Sequence, residues 1–129
     1  RSYLVEITAE VLSAADRATG LPVVDVILDS AGQKGTGRWT AVEALALGQS
    51  ASTIEAAVGA RSWSSEKAAR EAGEAILGTR RTRVDLPEAD LEGALLAGRI
   101  VAYAQGFRLL RAASDLHGWG TDLARVAET

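Results

Sequence analysis

Apolar residues recur at three- and four-residue steps along most of this chain, the period of a helix with one buried face. Leu4, Val5, Ile7, Val11 and Leu12 make the first such stripe, with Glu6, Glu10 and Asp16 off it. Gly20 and Pro22 then punctuate the end of one helix and the start of the next. Val23, Val24, Val26, Ile27 and Leu28 are β-branched enough for a strand, but no partner strand follows and Pro22 suits a helix's first turn. The pattern therefore predicts a short buried helix there. Thr40-Ala41-Val42-Glu43 reads as a capping box, although the helix it opens could begin nearer Thr36. A second box, Ser52-Thr53-Ile54-Glu55, opens a helix carrying Ile54, Ala57 and Val58 towards Arg61, where the pattern breaks at Ser62-Trp63-Ser64-Ser65. Ser64 is placed to cap a further helix through Ala69, Ala72 and Ile76, closed by Gly78.

An arginine-rich link from Thr79 to Val84 leads to Pro87 and the longest periodic segment, about 87–116. Leu91, Ala94, Leu95, Gly98, Ala102, Leu109 and Ala112 share one side of it. Gly93, Gly98 and Gly106 would each weaken an isolated helix by about 1 kcal/mol relative to alanine, so their presence suggests close approach by a neighbour. The expectation is an all-α domain of five or six helices. Residues 1–129 read as a single helical unit. With no methionine and a beginning inside an amphipathic pattern, the chain also reads as a piece of something longer.

Composition narrows the function. The net charge of −3 provides no basic field for a dedicated nucleic-acid binder. The absence of cysteine excludes disulfides, thiolate nucleophiles and zinc–thiolate sites, and fits a reducing cytoplasm. No apolar run approaches the roughly 20 residues that span a bilayer. Clustered imidazoles or facing carboxylates are also absent, so no metal site is expected.

The candidate chemistry lies in Ala31-Gly32-Gln33-Lys34-Gly35-Thr36-Gly37-Arg38-Trp39-Thr40. Its glycines would let backbone amides approach a ligand, and Lys34 and Thr36 would add a charge and a hydroxyl ahead of a helix N-terminus. The run matches neither the Walker order Gly-Lys-Ser/Thr nor the three spaced glycines of a dinucleotide fingerprint. Spacing alone favours an interhelical turn with an incidental lysine. It likewise favours a solvated or end-capping Arg61 over a bidentate phosphate contact. His117, the only histidine, sits too close to Ser114 and Asp115 on one turn for a catalytic triad and reads as a helix-terminal surface group. Arg80, Arg81 and Arg83 read as a solvated link, and Trp39, Trp63 and Trp119 as core or interface anchors.

Longer words change the balance. Tyr3-Leu4-Val5-Glu6-Ile7-Thr8, Val24-Asp25-Val26-Ile27-Leu28-Asp29, the glycine run, Ala60-Arg61-Ser62-Trp63-Ser64-Ser65 and Ile100-Val101-Ala102-Tyr103-Ala104-Gln105-Gly106-Phe107-Arg108-Leu109-Leu110-Arg111-Ala112-Ala113 follow one another in this order. Together they resemble the helical domain of the decarboxylating 6-phosphogluconate dehydrogenases. The resemblance implies a parent enzyme that oxidises 6-phosphogluconate with NADP and decarboxylates the 3-keto intermediate to ribulose 5-phosphate. It implies a cytoplasmic homodimer of the pentose phosphate pathway, with an N-terminal Rossmann domain for NADP. By the same resemblance, Lys34, Thr36 and Arg61 hold the substrate phosphate. The family's catalytic lysine and glutamate, its dinucleotide fingerprint and its C-terminal tail have no counterpart in these residues, so no catalytic or cofactor-binding residue is expected here and the chain alone should not turn over. The turn between Gly48 and Ile54 and the stretch Thr79–Asp90 depart from the family pattern. The other readings open at this point are a non-catalytic helical interaction module and a related β-hydroxyacid dehydrogenase domain.

Overall fold

A computed structural model describes residues 2–78 and 84–128, and among these every regular element is helical. The elements are α1 (Tyr3–Ser13), α2 (Val23–Val26), α3 (Thr36–Ala46), α4 (Ser52–Ser65), α5 (Lys67–Leu77), α6 (Glu88–His117) and α7 (Leu123–Ala127). The chain divides into two compact units, Arg1–Ser30 and Ala31–Thr129. Arg80, Arg81 and Arg83 lie outside the described residues.

In the first unit α1 packs on α2. Between them Asp16 organises a turn: its Oδ2 accepts from the Thr19 amide at 2.8 Å and the Thr19 hydroxyl at 2.7 Å. These donors favour the carboxylate and hold the Asp16 pKa below its ordinary value. The backbone then returns antiparallel, with the Asp16 amide donating to Leu21 and the Val23 amide to Ala14. The short helix expected after Pro22 is present, but it is not buried. Val24, Val26, Ile27 and Leu28 are all exposed, because so short a helix finds cover on too few neighbours.

The second unit is built on α4, which packs against α3, α5 and α6. Ala44 of α3 and Ala51, just ahead of α4, are fully buried, so the α3–α4 corner is closed by small side chains. The start of α4 differs from the expected capping box. Ser52 is already helical and the N-cap is Ala51, which has no side-chain acceptor. Gln105 of α6 takes over that job: its Oε1 accepts from the Thr53 amide at 3.1 Å and the Thr53 hydroxyl at 2.6 Å, while its Nε2 donates to Ser52 Oγ at 2.9 Å. A donor left free by the helix start is thus satisfied from another helix. Gln105→Leu is expected to destabilise the protein by about 1 kcal/mol, the typical worth of such a cap, and Gln105→Glu to recover most of it. Thermal melting of the three proteins checks this.

Ser64 does not cap the next helix either. α4 runs through to Ser65, and Glu66 forms the junction with α5. Arg70 of α5 reaches back, its Nε donating to the Trp63 carbonyl and its Nη2 to that of Ser64.

The long helix α6 matches the expected range, but its first half stands apart. Every residue from Glu88 to Val101 is exposed, and cover begins at Ala102 where α4 and α7 pack. The tight approach expected at Gly93, Gly98 and Gly106 is not made among the described residues: a Cβ at any of them would meet nothing within 4 Å. The tryptophans are likewise not core. Trp39, Trp63 and Trp119 are 65%, 69% and 63% exposed. His117 ends α6 on the surface, stacked on Trp119 with ring centroids 4.8 Å apart. Ser114 is buried, and its Oγ accepts from the Thr121 amide at 2.9 Å, which ties down the turn into α7. Its hydroxyl is therefore engaged in structure.

Candidate functional site

The helix opened by the glycine run begins at Thr36, the earlier of the two starts the sequence allows, and its N-cap lies five residues ahead of Thr40. Gly35 is the N-cap of α3 with φ of 102°, a left-handed conformation that costs an L-residue with a side chain about 1 kcal/mol or more. Its carbonyl accepts from the Trp39 amide at 2.9 Å, the first bond of the helix. Thr40, the expected cap, lies inside α3 and its hydroxyl donates to the Thr36 carbonyl. Thr36, Gly37 and Arg38 consequently form the first turn, where amides have no intrahelical acceptor, and no side chain caps them.

Opposite this turn stands the middle of α4. The two helices approach so closely that a Cβ on Gly37 would lie 2.9 Å from Val58 Cγ2. Between them is an open cleft of about 390 Å³, within the size range of small-molecule sites. It is lined by the apolar side chains of Ile54, Ala57 and Val58 and by the polar ones of Lys34, Thr36, Arg38 and Arg61. The spacing of the α4 residues explains their convergence, since positions 54, 57, 58 and 61 recur at three- and four-residue steps and share one helix face.

The electrostatics are one-sided. Three cations line the cleft and no carboxylate does. Among the described residues, neither Lys34 nor Arg38 is paired with an acid. Arg61 donates through Nη2 to the Gly32 carbonyl. That leaves most of its five N–H donors for a ligand. A cleft of this kind suits a compact anion, with cations, a hydroxyl and helix-terminal amides as donors.

Lys34, Thr36 and Arg61, singled out above, line this one cleft although 27 positions separate the first from the last. Arg38 and Gln33 line it as well and were not singled out. With α3 starting at Thr40, Arg38 belongs to a loop with no defined direction. With α3 starting at Thr36, it lies on the helix's first turn and four residues beyond Lys34. The start near Thr36, which the sequence also allows, is the signal that places Arg38 on the first turn. A dinucleotide site does not fit here: no strand leads into the glycine run among the described residues, and the third fingerprint glycine is lacking. No group of three His, Cys, Asp or Glu that could hold a metal occurs among the described residues. Nor is any helix there long and apolar enough to cross a membrane.

The sequence model of "6-phosphogluconate dehydrogenase, C-terminal domain" matches residues 1–129. The chain is 42% identical to a decarboxylating 6-phosphogluconate dehydrogenase of Bacillus licheniformis over 98% of its own length and 28% of that protein's. Two Bacillus subtilis relatives, one NAD(+)-dependent and one NADP(+)-dependent, are 40% and 41% identical over the same shares. Among solved structures, Plasmodium falciparum 6-phosphogluconate dehydrogenase, studied apo, with its cofactor NADP+ and with its substrate 6-phosphogluconate, superposes with a TM-score of 0.88 at 38% identity. That match covers 98% of this chain and 28% of the Plasmodium chain. The chain thus spans little more than a quarter of the length of the relatives it matches.

Proposed function

The chain belongs to the 6-phosphogluconate dehydrogenase family, through its C-terminal domain, and we propose that it is the substrate-phosphate-binding and dimerisation part of a decarboxylating, NADP-dependent enzyme. The observation that carries this reading is the convergence of Lys34, Thr36 and Arg61 on one cleft free of carboxylates.

In the proposed reaction 6-phosphogluconate is oxidised to a 3-keto acid, which loses carbon dioxide to give ribulose 5-phosphate. NADP, held by a Rossmann domain outside these residues, would supply the hydride acceptor. The residues of this chain act at the far end of the substrate. Lys34 supplies a point charge to the phosphate dianion, Arg61 a fork of parallel donors, and Thr36 a hydroxyl. None of them touches the reacting carbons. Their binding energy serves to orient the sugar acid so that its C3 hydroxyl meets the catalytic groups, which again lie outside this chain.

The exposed first half of α6 fits the second role. Leu91, Leu95, Leu96 and Ile100 are each more than half exposed on it, an apolar surface of the sort subunits bury. We assign it to the interface of a cytoplasmic homodimer acting in the pentose phosphate pathway, with neither nucleic acid nor membrane as partner.

Calorimetry on the full-length protein tests the reading. 6-Phosphogluconate is expected to give saturable heat, and gluconate, which has no phosphate, to bind at least about 100-fold more weakly, the equivalent of one or two charge-assisted contacts. Lys34→Ala should weaken 6-phosphogluconate binding about tenfold. Equal affinity for the two sugar acids would refute the assignment.

A further inference from the structure

Residues 31–35 form no regular structure, yet the cleft exists only if this stretch lies against α4. Three side chains from the last turns of α4 hold it there. Ser64 Oγ accepts from the Ala31 amide at 3.0 Å. Arg61 donates to the Gly32 carbonyl. Ser62 Oγ accepts from Gln33 Nε2 at 2.5 Å, while the same amide nitrogen donates to the Val58 carbonyl at 3.3 Å. The Ser62 hydroxyl proton is itself directed to the Val58 carbonyl, at 3.1 Å, which leaves its oxygen facing the glutamine as an acceptor. Positions 58, 61 and 62 share a helix face, and 64 lies one turn beyond 61, so a single strip of α4 meets three consecutive residues of the loop.

We propose that Ser62 and Ser64 are positioning residues for the phosphate site, clamping residues 31–33 so that Lys34 and Thr36 open onto the same cleft as Arg61. Neither serine lines the cleft, so each acts only through the segment it holds. The segment has glycines at 32 and 35 and would otherwise sample many backbone states, each carrying the Lys34 ammonium elsewhere. The clamp settles that entropy before the ligand arrives, which is where preorganisation yields affinity. The inference rests on the phosphate-binding reading above.

The test uses the full-length enzyme with the substitutions Ser62→Ala and Ser64→Ala combined. KM and Kd for 6-phosphogluconate are expected to rise about tenfold, the combined worth of two ordinary hydrogen bonds. The value of kcat should stay within about twofold, because the reacting end of the bound substrate is untouched, and KM for the coenzyme should not change. Ser62→Thr with Ser64→Thr keeps both hydroxyls and should restore most of the affinity. If the double alanine variant does not accumulate, each single variant carries the same comparison at about threefold. A fall in melting temperature with KM unchanged would reduce both serines to ordinary structural groups and overturn the proposal, as would kcat falling with KM constant. Lys34→Ala measured alongside separates the two claims. Weakened binding there, with none in the serine variants, removes the clamp alone; no weakening in either set removes the phosphate site and the clamp with it.

Discussion

In the full-length enzyme Arg61→Ala is expected to weaken 6-phosphogluconate binding by about 100-fold, or ~2.7 kcal/mol, while NADP affinity stays within about twofold. Two effects add at this residue. In the proposed site its guanidinium would meet the phosphate dianion in a cleft also lined by Ile54, Ala57 and Val58, where charge-assisted hydrogen bonds exceed neutral ones. It also donates to the Gly32 carbonyl, so its loss releases the loop that carries Lys34. Arg61→Lys separates the two. It restores a charge to the cleft but not the planar fork that serves a phosphate and a carbonyl together, so only about a tenth to a third of the affinity should return. Titration of each variant with 6-phosphogluconate and, separately, with NADP supplies the comparison. Parallel losses for both ligands would mean that Arg61 holds up the fold and does not read the phosphate.

The helical period, legible from apolar spacing alone, identifies nearly every element of this chain, because spacing reports which face a helix must cover. The helix starts were less legible. Thr40–Glu43 and Ser52–Glu55 both satisfy the local rule for a capping box, yet neither Thr40 nor Ser52 caps. At Gly35 a left-handed φ starts the helix early. At α4 the missing acceptor comes from Gln105, 52 positions beyond Thr53. Ser64 looked like a cap for α5 and instead receives the Ala31 amide from 33 positions upstream. The last two are tertiary bonds between segments that no local window contains. The direction of Arg38, by contrast, depends on where α3 begins, which the local conformation of Gly35 sets. Pattern reading also could not tell a covered helix face from an uncovered one: the stripe on α6 from Leu91 to Ile100 has the spacing of a buried face and is exposed throughout.

The coenzyme was not legible for a different reason. Identity to the NAD(+)-dependent and the NADP(+)-dependent Bacillus subtilis relatives is nearly the same, 40% and 41%. The residues proposed to hold the sugar phosphate lie in this domain. Those that read the ribose 2′-phosphate belong to the dinucleotide fold and its acidic or basic side chain. The proposed NADP dependence therefore follows relatives that use that coenzyme, and its test lies in the dinucleotide fold.

The close approach of α3 and α4 at Gly37 provides the second large effect. Gly37→Ala would place a methyl group 2.9 Å from Val58 Cγ2, closer than carbon atoms pack. Val58 cannot swing aside, because a β-branched residue in a helix has essentially one χ1 rotamer. The helices must part instead, and overpacking of this kind costs about 2 kcal/mol. The strain falls where Thr36 and Arg38 face Val58 and Arg61, so affinity for 6-phosphogluconate should drop about tenfold along with the melting temperature. Val58→Ala alone should lower stability by about 1 kcal/mol through lost packing at a half-buried site. Combined, the two substitutions should recover stability relative to Gly37→Ala, since the new methyl occupies the space the valine left. A melting series over the wild type, both single variants and the double variant gives the coupling directly. Simple additivity would mean that the helices do not touch at this point, and the cleft would then need another explanation for its width.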